Sequence, residues 1–459
     1  MNITDTFITN ILNLCESPLN EKVYSHIKYS LLDYVGCVWA GSKVLQQETQ
    51  SYIATGICSQ GKCSVFGLAN KYSITDAAFL NGMHSHVLEL DDGHRYGTLH
   101  LAAPIFSALI AVAEHEDLTY RNLIKGAVAG YETAIRLAMS MQPNHKVRGF
   151  HTTGTCGTIG VAMAVAVAMD FNFKQCKSAL SAAVTSAAGV LEMLQGDSQL
   201  KPYNVGRAAS DGIMAAYIGR SGFEPPEDAL CGRRGFYATM TDRYDPRYLT
   251  EFDADKLYCV GTFLKPYAAC RHCHPAIEAA IMLSKERQYS IEEIEKVIVY
   301  TYNLAIVGHD HKVINGVSSA KMSIPYGVAV ALVKQRAGIN DFTDSLIKRN
   351  DIVSLTSKVE VLESEELSAL LPDKRAAIVV VETANGKYEQ RVDVATGEPE
   401  NPMSPDALMA KFCESMHYAD ARDVDVQFLS HNILHASDSL SVSQILANRP
   451  MGEVGINVC

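Results

Sequence analysis

Apolar residues recur at helical spacing from the start of the chain. Residues 4–16 and 21–40 each carry an apolar stripe, and KYSLLDYVGCVWAGS reads as a buried helix. From Ile74 onward the pattern predicts a succession of Ala-rich helices over 74–90, 102–116, 120–140, 154–170, 174–194 and 204–221. Small residues in runs such as GTIGVAMAVAVAMD let helices approach closely, and a helix apolar on every side belongs in the middle of a bundle. CSVFG at 63–67 is the one strand-like piece of this half. After about residue 222 the pattern changes: EPPEDALCGRRGF and DRYDPRY read as a loop-rich connection. Beyond it, β-branched segments at 295–303, 358–363, 376–384 and 387–395 predict strands, with Asn385-Gly386 marking a hairpin between the last two. Helices are expected near 274–287, 319–337 and 342–347, and two more at 404–416 and 438–447 should pack back on the first domain. The fold class is therefore mainly α, with a large all-α helical domain (1–262 and 398–459) and a smaller α+β domain (263–397).

Composition narrows the function classes. With 47% hydrophobic and 20% charged residues the chain reads as a soluble globular protein. A net charge of −11, with basic clusters no longer than Arg233-Arg234, argues against a nucleic-acid partner. The longest apolar run, 160–169, is closed by polar residues, so no membrane span is expected. The N-terminal stretch lacks a basic region followed by a cleavable apolar core, which predicts no signal peptide and a cytoplasmic location. Twelve cysteines without compact even spacing read as reduced thiols.

The chemistry concentrates in NGMHSHVLELDDGHRYGTLHLAAP, residues 81–104. This stretch holds four histidines, Glu89, the Asp91-Asp92 pair and Arg95, between a helical pattern that Ser73 can cap and another that is wholly apolar. Gly93 and Gly97 allow the chain to turn sharply there. Imidazole titrates near neutral pH and a partly buried carboxylate is pushed toward it, so the cluster suits proton transfer. Metal binding is the competing use. His84 and His86 would diverge on a helix, and no HExxH or paired CxxC spacing occurs, so no metal is expected.

Other polar groups stand at expected helix ends. Arg148 and His151 precede a helix whose first turn, rich in Thr and Gly, favours an anion. Lys201 precedes another, and LKPYAACRHCH supplies Lys265, Arg271, His272 and His274. Cys270, Cys273 and His274 lack an evident fourth ligand for zinc, and Tyr326 follows Pro325 in SAKMSIPYG.

Together these motifs resemble the MmgE/PrpD family over nearly the whole chain. AAFLNGMHSHVLELDDGH, GFHTTGTCGTIG, LKPYNVGRAASDG and KPYAACRHCHPAIEA are similar, in order, to four family elements. The resemblance implies a helical domain with a smaller α+β lid, a homodimer, a site in the cleft, and neither metal nor organic cofactor. It places site roles on Glu89, where relatives have Asp, and on His100, His151, Lys201 and Tyr326. Where many relatives have Thr after the paired aspartates, this chain has Gly93 and then His94, and its link to His100 is one residue longer.

The implied activity is that of a cofactor-independent lyase acting on a small anionic di- or tricarboxylic acid, with dehydration expected ahead of decarboxylation. In that reading His100 and His151 exchange protons, Glu89 or Asp92 holds an imidazole tautomer, and Tyr326 assists the leaving group. Lys201 and Arg271, with Lys265, His274, Arg148 and Arg95, would meet the substrate's charge. An isomerase that reprotonates the same carbanion, with His94 as second acid, is the alternative enzyme. A catalytically silent carboxylate-binding protein is the alternative of another class.

Overall fold

The helix Thr152–Ala168 has no polar face, and all 17 of its residues are buried. It is enclosed by the helices Ala102–Glu116, Tyr120–Met141, Phe173–Ser186 and Lys201–Arg220. Such enclosure needs small contact residues. A Cβ on Gly160 would stand 2.8 Å from the Ala134 Cβ, and one on Gly82 would stand 2.9 Å from the Gly206 Cα, so these helices pack backbone to backbone.

The computed structural model describes residues 2–194, 198–253, 255–286 and 289–447. It divides into two units. The first comprises the described residues of Met1–Val87, Asp91–Thr262 and Asp406–Cys459; the second comprises Leu88–Leu90 and Phe263–Pro405. No helix among the described residues is long and apolar enough to cross a membrane.

Within the helical unit the apolar pattern gave the helices, and the caps set their ends. Ser73 accepts from the Asp76 N–H to open Ile74–His86, and Thr119 and Asn172 form capping boxes on Tyr120–Met141 and Phe173–Ser186. Three ends differ from the pattern, and one is that of the helix expected over 174–194, which stops at Ser186. The helix expected to reach residue 90 stops at His86, and Glu89 then takes a left-handed backbone, φ 53°. The helix expected from 204 begins instead at Lys201, with Pro202 in the first turn, where a missing N–H costs no hydrogen bond. The strand expected at 63–67 is Gln60–Ser64, paired with Lys71–Tyr72. Near the C-terminus, Pro405–Tyr418 and Val442–Ile445 correspond to expected helices. A third, Asp423–His435, was hidden by its polar composition. These segments rest on the helical unit: Tyr120 N–H donates to the Leu440 carbonyl at 2.8 Å, and Lys411 pairs with the buried Asp33.

The second unit is built on a four-stranded sheet in the order Val359–Glu363, Ile294–Thr301, Ala377–Thr383, Gly386–Val392. The first pair is parallel and the other two are antiparallel. The helices His274–Glu286, Ile324–Lys334 and Asn350–Lys358 pack together and against the sheet. The single helix expected over 319–337 is interrupted at Met322–Ser323, where the Ser323 side chain accepts from the Tyr326 N–H and caps a new helix. The helix expected at 342–347 is a run of turns, and the regular helix follows at Asn350–Lys358. Residue 287, the last of the helix expected over 274–287, lies outside the described residues.

Candidate active site

The helix Ile74–His86 carries His86 on its last turn, and six residues later Asp92 opens the next helix, Ala102–Glu116, from a distance in sequence. That helix has an apolar N-cap, Leu101, with no capping side chain. The Asp92 carboxylate substitutes, accepting from the Leu101 and Ala102 N–H groups at 3.1 and 2.9 Å through Oδ1 and from the Tyr131 hydroxyl at 2.8 Å through Oδ2. Asp92 is fully buried, and burial pushes its carboxyl up to about 6 against the pull of the Ala102 amide.

That shift fixes a sign. A carboxyl that binds its proton more tightly when folded contributes stability below its unfolded value, near 4, and loses it as the pH rises through about 6. Two pKa units correspond to roughly 3 kcal/mol at most. Asp92→Asn keeps an oxygen for the helix amides and removes the charge. The urea midpoint of the variant is therefore expected to fall less between about pH 4 and pH 7 than that of the parent protein. Equal pH dependence in the two proteins would show that Asp92 does not titrate in this range.

Asp91 faces the imidazoles. Its Oδ2 lies 2.8 Å from His86 Nδ1 and 3.2 Å from His100 Nδ1, and the two rings meet edge to face at 4.6 Å. His100 Nδ1 is also 2.6 Å from the Asp92 backbone carbonyl, which can only accept, so Nδ1 carries the proton and Nε2 is the exchange site. The Thr153 hydroxyl oxygen accepts from the His100 N–H at 3.0 Å and fixes the backbone. Burial opposes a charge on Asp91, but the His86 and His100 rings hold its carboxyl well below the usual range. Burial drives His86 down to about 4, with Asp91 opposing. The His100 side chain is 17% exposed whereas those of His86 and Asp91 are 0%, so His100 is the member of the trio that a ligand can reach.

A second imidazole is held differently. His151 Nδ1 lies 2.6 Å from Asn204 Oδ1, and Asn204 Nδ2 donates to the Ala188 carbonyl at 3.2 Å, which orients the amide. His151 Nδ1 therefore donates, and Nε2 holds the lone pair. Burial pushes this ring down to about 3, Asn204 opposes the shift, and the Lys201 charge reinforces it. Lys201 is the first residue of the helix Lys201–Arg220, and its charge also acts on His86.

The remaining expected residues have other partners. His94 Nδ1 accepts from the Gly97 N–H at 3.0 Å, inside a turn that returns the chain at Leu99. Arg95 stacks on Tyr96, 4.9 Å from the ring centre, and Arg148 pairs at the surface with Asp242 at 2.7 Å. In the second unit Lys265 Nζ lies 3.0 Å from the Glu89 carbonyl and 3.4 Å from its carboxylate. Lys321, buried beside them, is pushed down to about 8 by burial, with the Glu89 charge opposing. Arg271 donates to Glu398, to His274 Nδ1 and to the Ala395 and Thr396 carbonyls, and Tyr326 donates to the Asp341 carbonyl at 3.0 Å. Sequence reasoning gave no role to Asp91, His86, Thr153 or Asn204. The Asp91-Asp92 doublet was visible, but not which member would cap a helix and which would meet the imidazoles.

Ligand-type atoms of His86, Asp91 and His100 lie within 4.8 Å of one another, close enough for a metal ion. Their present bonding fits protons better. Each ring turns its Nδ1 to a carboxylate, and that of His100 also meets a backbone carbonyl, so both nitrogens act as donors.

Residues 7–249 match the MmgE/PrpD N-terminal domain and residues 267–428 the MmgE/PrpD C-terminal domain. Over 97% of its length the chain is 24% identical to the cis-aconitate decarboxylase-like protein oryM of Aspergillus oryzae, covering 97% of that protein. It is 24% identical to the cis-aconitate decarboxylase of Aspergillus terreus over 77% of each chain. To that of Homo sapiens it is 25% identical over 89% of its own length and 87% of the relative's.

Proposed function

From a chain that belongs to the MmgE/PrpD family, and from its differently backed imidazoles, we propose a cofactor-independent lyase that acts on a di- or tricarboxylic acid through a carbanion next to a carboxylate. The observation that carries this reading is the pairing of His100 with the Asp91 carboxylate and of His151 with the neutral Asn204 amide. A carboxylate behind an imidazole stabilises the imidazolium, the form that donates a proton, whereas an amide fixes the tautomer without adding charge. His100 thus serves as the acid and His151 as the base, each through Nε2. Lys201, at a helix N-terminus, supplies positive charge for the developing carbanion.

Both lyase reactions use these parts. In decarboxylation a C–C bond breaks, carbon dioxide leaves with its carboxyl carbon, and the retained electron pair takes a proton from His100. In dehydration His151 removes the proton next to the carboxylate and His100 protonates the departing hydroxyl. The names of the relatives make decarboxylation of an unsaturated tricarboxylic acid the first activity to assay. Epimerisation is the second reading, and His94 supports it. With Nδ1 accepting from Gly97, its proton sits on Nε2, the form of an acid.

The test is NMR of citrate, 2-methylcitrate and cis-aconitate incubated in D2O with protein dialysed against a strong chelator. Loss of a carboxyl carbon, loss of water and simple deuterium exchange give separate products, and turnover is expected without added metal. Activity restored by one divalent metal alone would overturn the metal-free mechanism. Failure of every acid to react, with binding demonstrated, would overturn the lyase assignment.

A further inference from the structure

We propose that Cys270 and His309 form a nucleophilic thiol–imidazole pair, a covalent modification site for small carbon electrophiles, in particular α,β-unsaturated carboxylic acids. Cys270 Sγ lies 3.2 Å from His309 Nε2. His309 Nδ1 is 2.9 Å from the Val307 carbonyl, which can only accept, so Nδ1 carries the ring proton and the Nε2 lone pair faces the thiol. That is the tautomer needed to take the thiol proton. The sulfur is also held in place. The Cys270 N–H donates to the Lys321 carbonyl at 2.8 Å, and the Cys270 carbonyl accepts from the Cys273 N–H at 2.9 Å.

The contrast with the other cysteines makes the site specific. The described cysteines are free thiols and most are buried; Cys58, Cys231, Cys270 and Cys413 are partly exposed. Burial pushes the thiols of Cys58, Cys231 and Cys413 up. Burial acts on Cys270 in the same direction, but the charge and hydrogen bond of His309 overcome it and bring the thiol down to about 6. Glu89 opposes that shift and the His272 backbone N–H assists it. Neighbouring Cys273 is fully buried and pushed well above its ordinary value, so it does not compete as a nucleophile.

The addition balances without a co-reactant. Cys270 Sγ bonds to the β-carbon, the π pair moves to the α-carbon, and the proton held on His309 Nε2 is delivered there. The lyase reading forms an alkene conjugated to a carboxylate, so the choice of electrophile rests on that reading. The nucleophilicity of the pair does not.

The experiment uses the full chain and one equivalent of iodoacetamide at about pH 6.5, where an ordinary thiol is only about 1% ionised. Peptide mass spectrometry is expected to find Cys270 alkylated at least about tenfold faster than Cys58, Cys231 or Cys413. His309→Gln should remove that advantage while Cys58 labelling, the control for an intact fold, stays unchanged. In the parent protein the Cys270 rate should level off above about pH 7. Equal rates among the four thiols, or undiminished labelling in His309→Gln, would overturn the pair. A parallel incubation with itaconic acid is expected to add the mass of that acid to Cys270. Selective iodoacetamide labelling without that adduct would overturn the assigned electrophile class. Neither readout requires turnover, so a failed lyase assay is distinguishable from a failed site.

Discussion

His100→Gln is expected to lower kcat by about 10² to 10⁴-fold while the unfolding midpoint stays near that of the parent protein. Glutamine can still donate to the Asp92 carbonyl, but it cannot carry a proton in turnover as imidazole does. His100 is the partly exposed member of a trio whose other two side chains are fully buried, so its loss removes the reachable proton carrier and leaves the buried packing in place. Asp91→Asn should give a related defect through positioning. Both Nδ1–H groups meet one carboxylate oxygen, Oδ2, so an amide oxygen in its place can still accept from them, but the amide adds no charge behind the imidazolium. Its signature is a displaced pH profile of kcat, which a structural defect alone would not produce. A loss below tenfold in His100→Gln would return the trio to a structural role.

Arg136→Met is expected to cost about 3–5 kcal/mol of stability, the usual result of leaving half of a buried ion pair without its partner. Arg136 is buried in the helix Tyr120–Met141 and donates to Glu132 at 2.8 Å and to the Tyr248 and Glu251 carbonyls at 3.2 and 3.0 Å. The guanidinium also stacks over Phe252, 3.6 Å from the ring centre. Burial pushes the Glu132 carboxyl up and the Arg136 charge opposes it, so without Arg136 the carboxylate is stranded. Glu132→Leu combined with Arg136→Met should recover part of the loss, as measured by urea unfolding. A single-variant loss below about 1 kcal/mol would show that solvent reaches the pair.

How much of this was legible in the sequence varied with the kind of interaction. The apolar pattern gave the helix at 102–116 and the buried run around Gly160 because those segments answer to burial alone. It missed Asp423–His435, whose exposed face is polar, and overran His86, where the left-handed Glu89 turns the chain away. Among site residues, His100 and His151 could be named from motif position, but their partners could not. Asp91 and Asp92 are adjacent and chemically identical, and only the direction of the chain after His86 decides which meets an imidazole. Asn204 lies 53 residues from His151, and nothing local in either segment announces the bond. Arg271 read as a cation for the substrate, yet the backbone at 395–396 and Glu398 engage its donors, a set that forms only on folding.

The bond from His151 to Asn204 joins two packed helices, and their spacing leaves little room beside it. A Cβ on Gly154 would stand 2.0 Å from Asn204 Oδ1. The proton inventory of this imidazole is thus inherited from an interhelical distance, and the two cannot drift independently. Adaptation toward a new substrate has an open route through side chains that line the site. A route that repacks these helices would have to change the protonation pattern of the base along with the shape of the core.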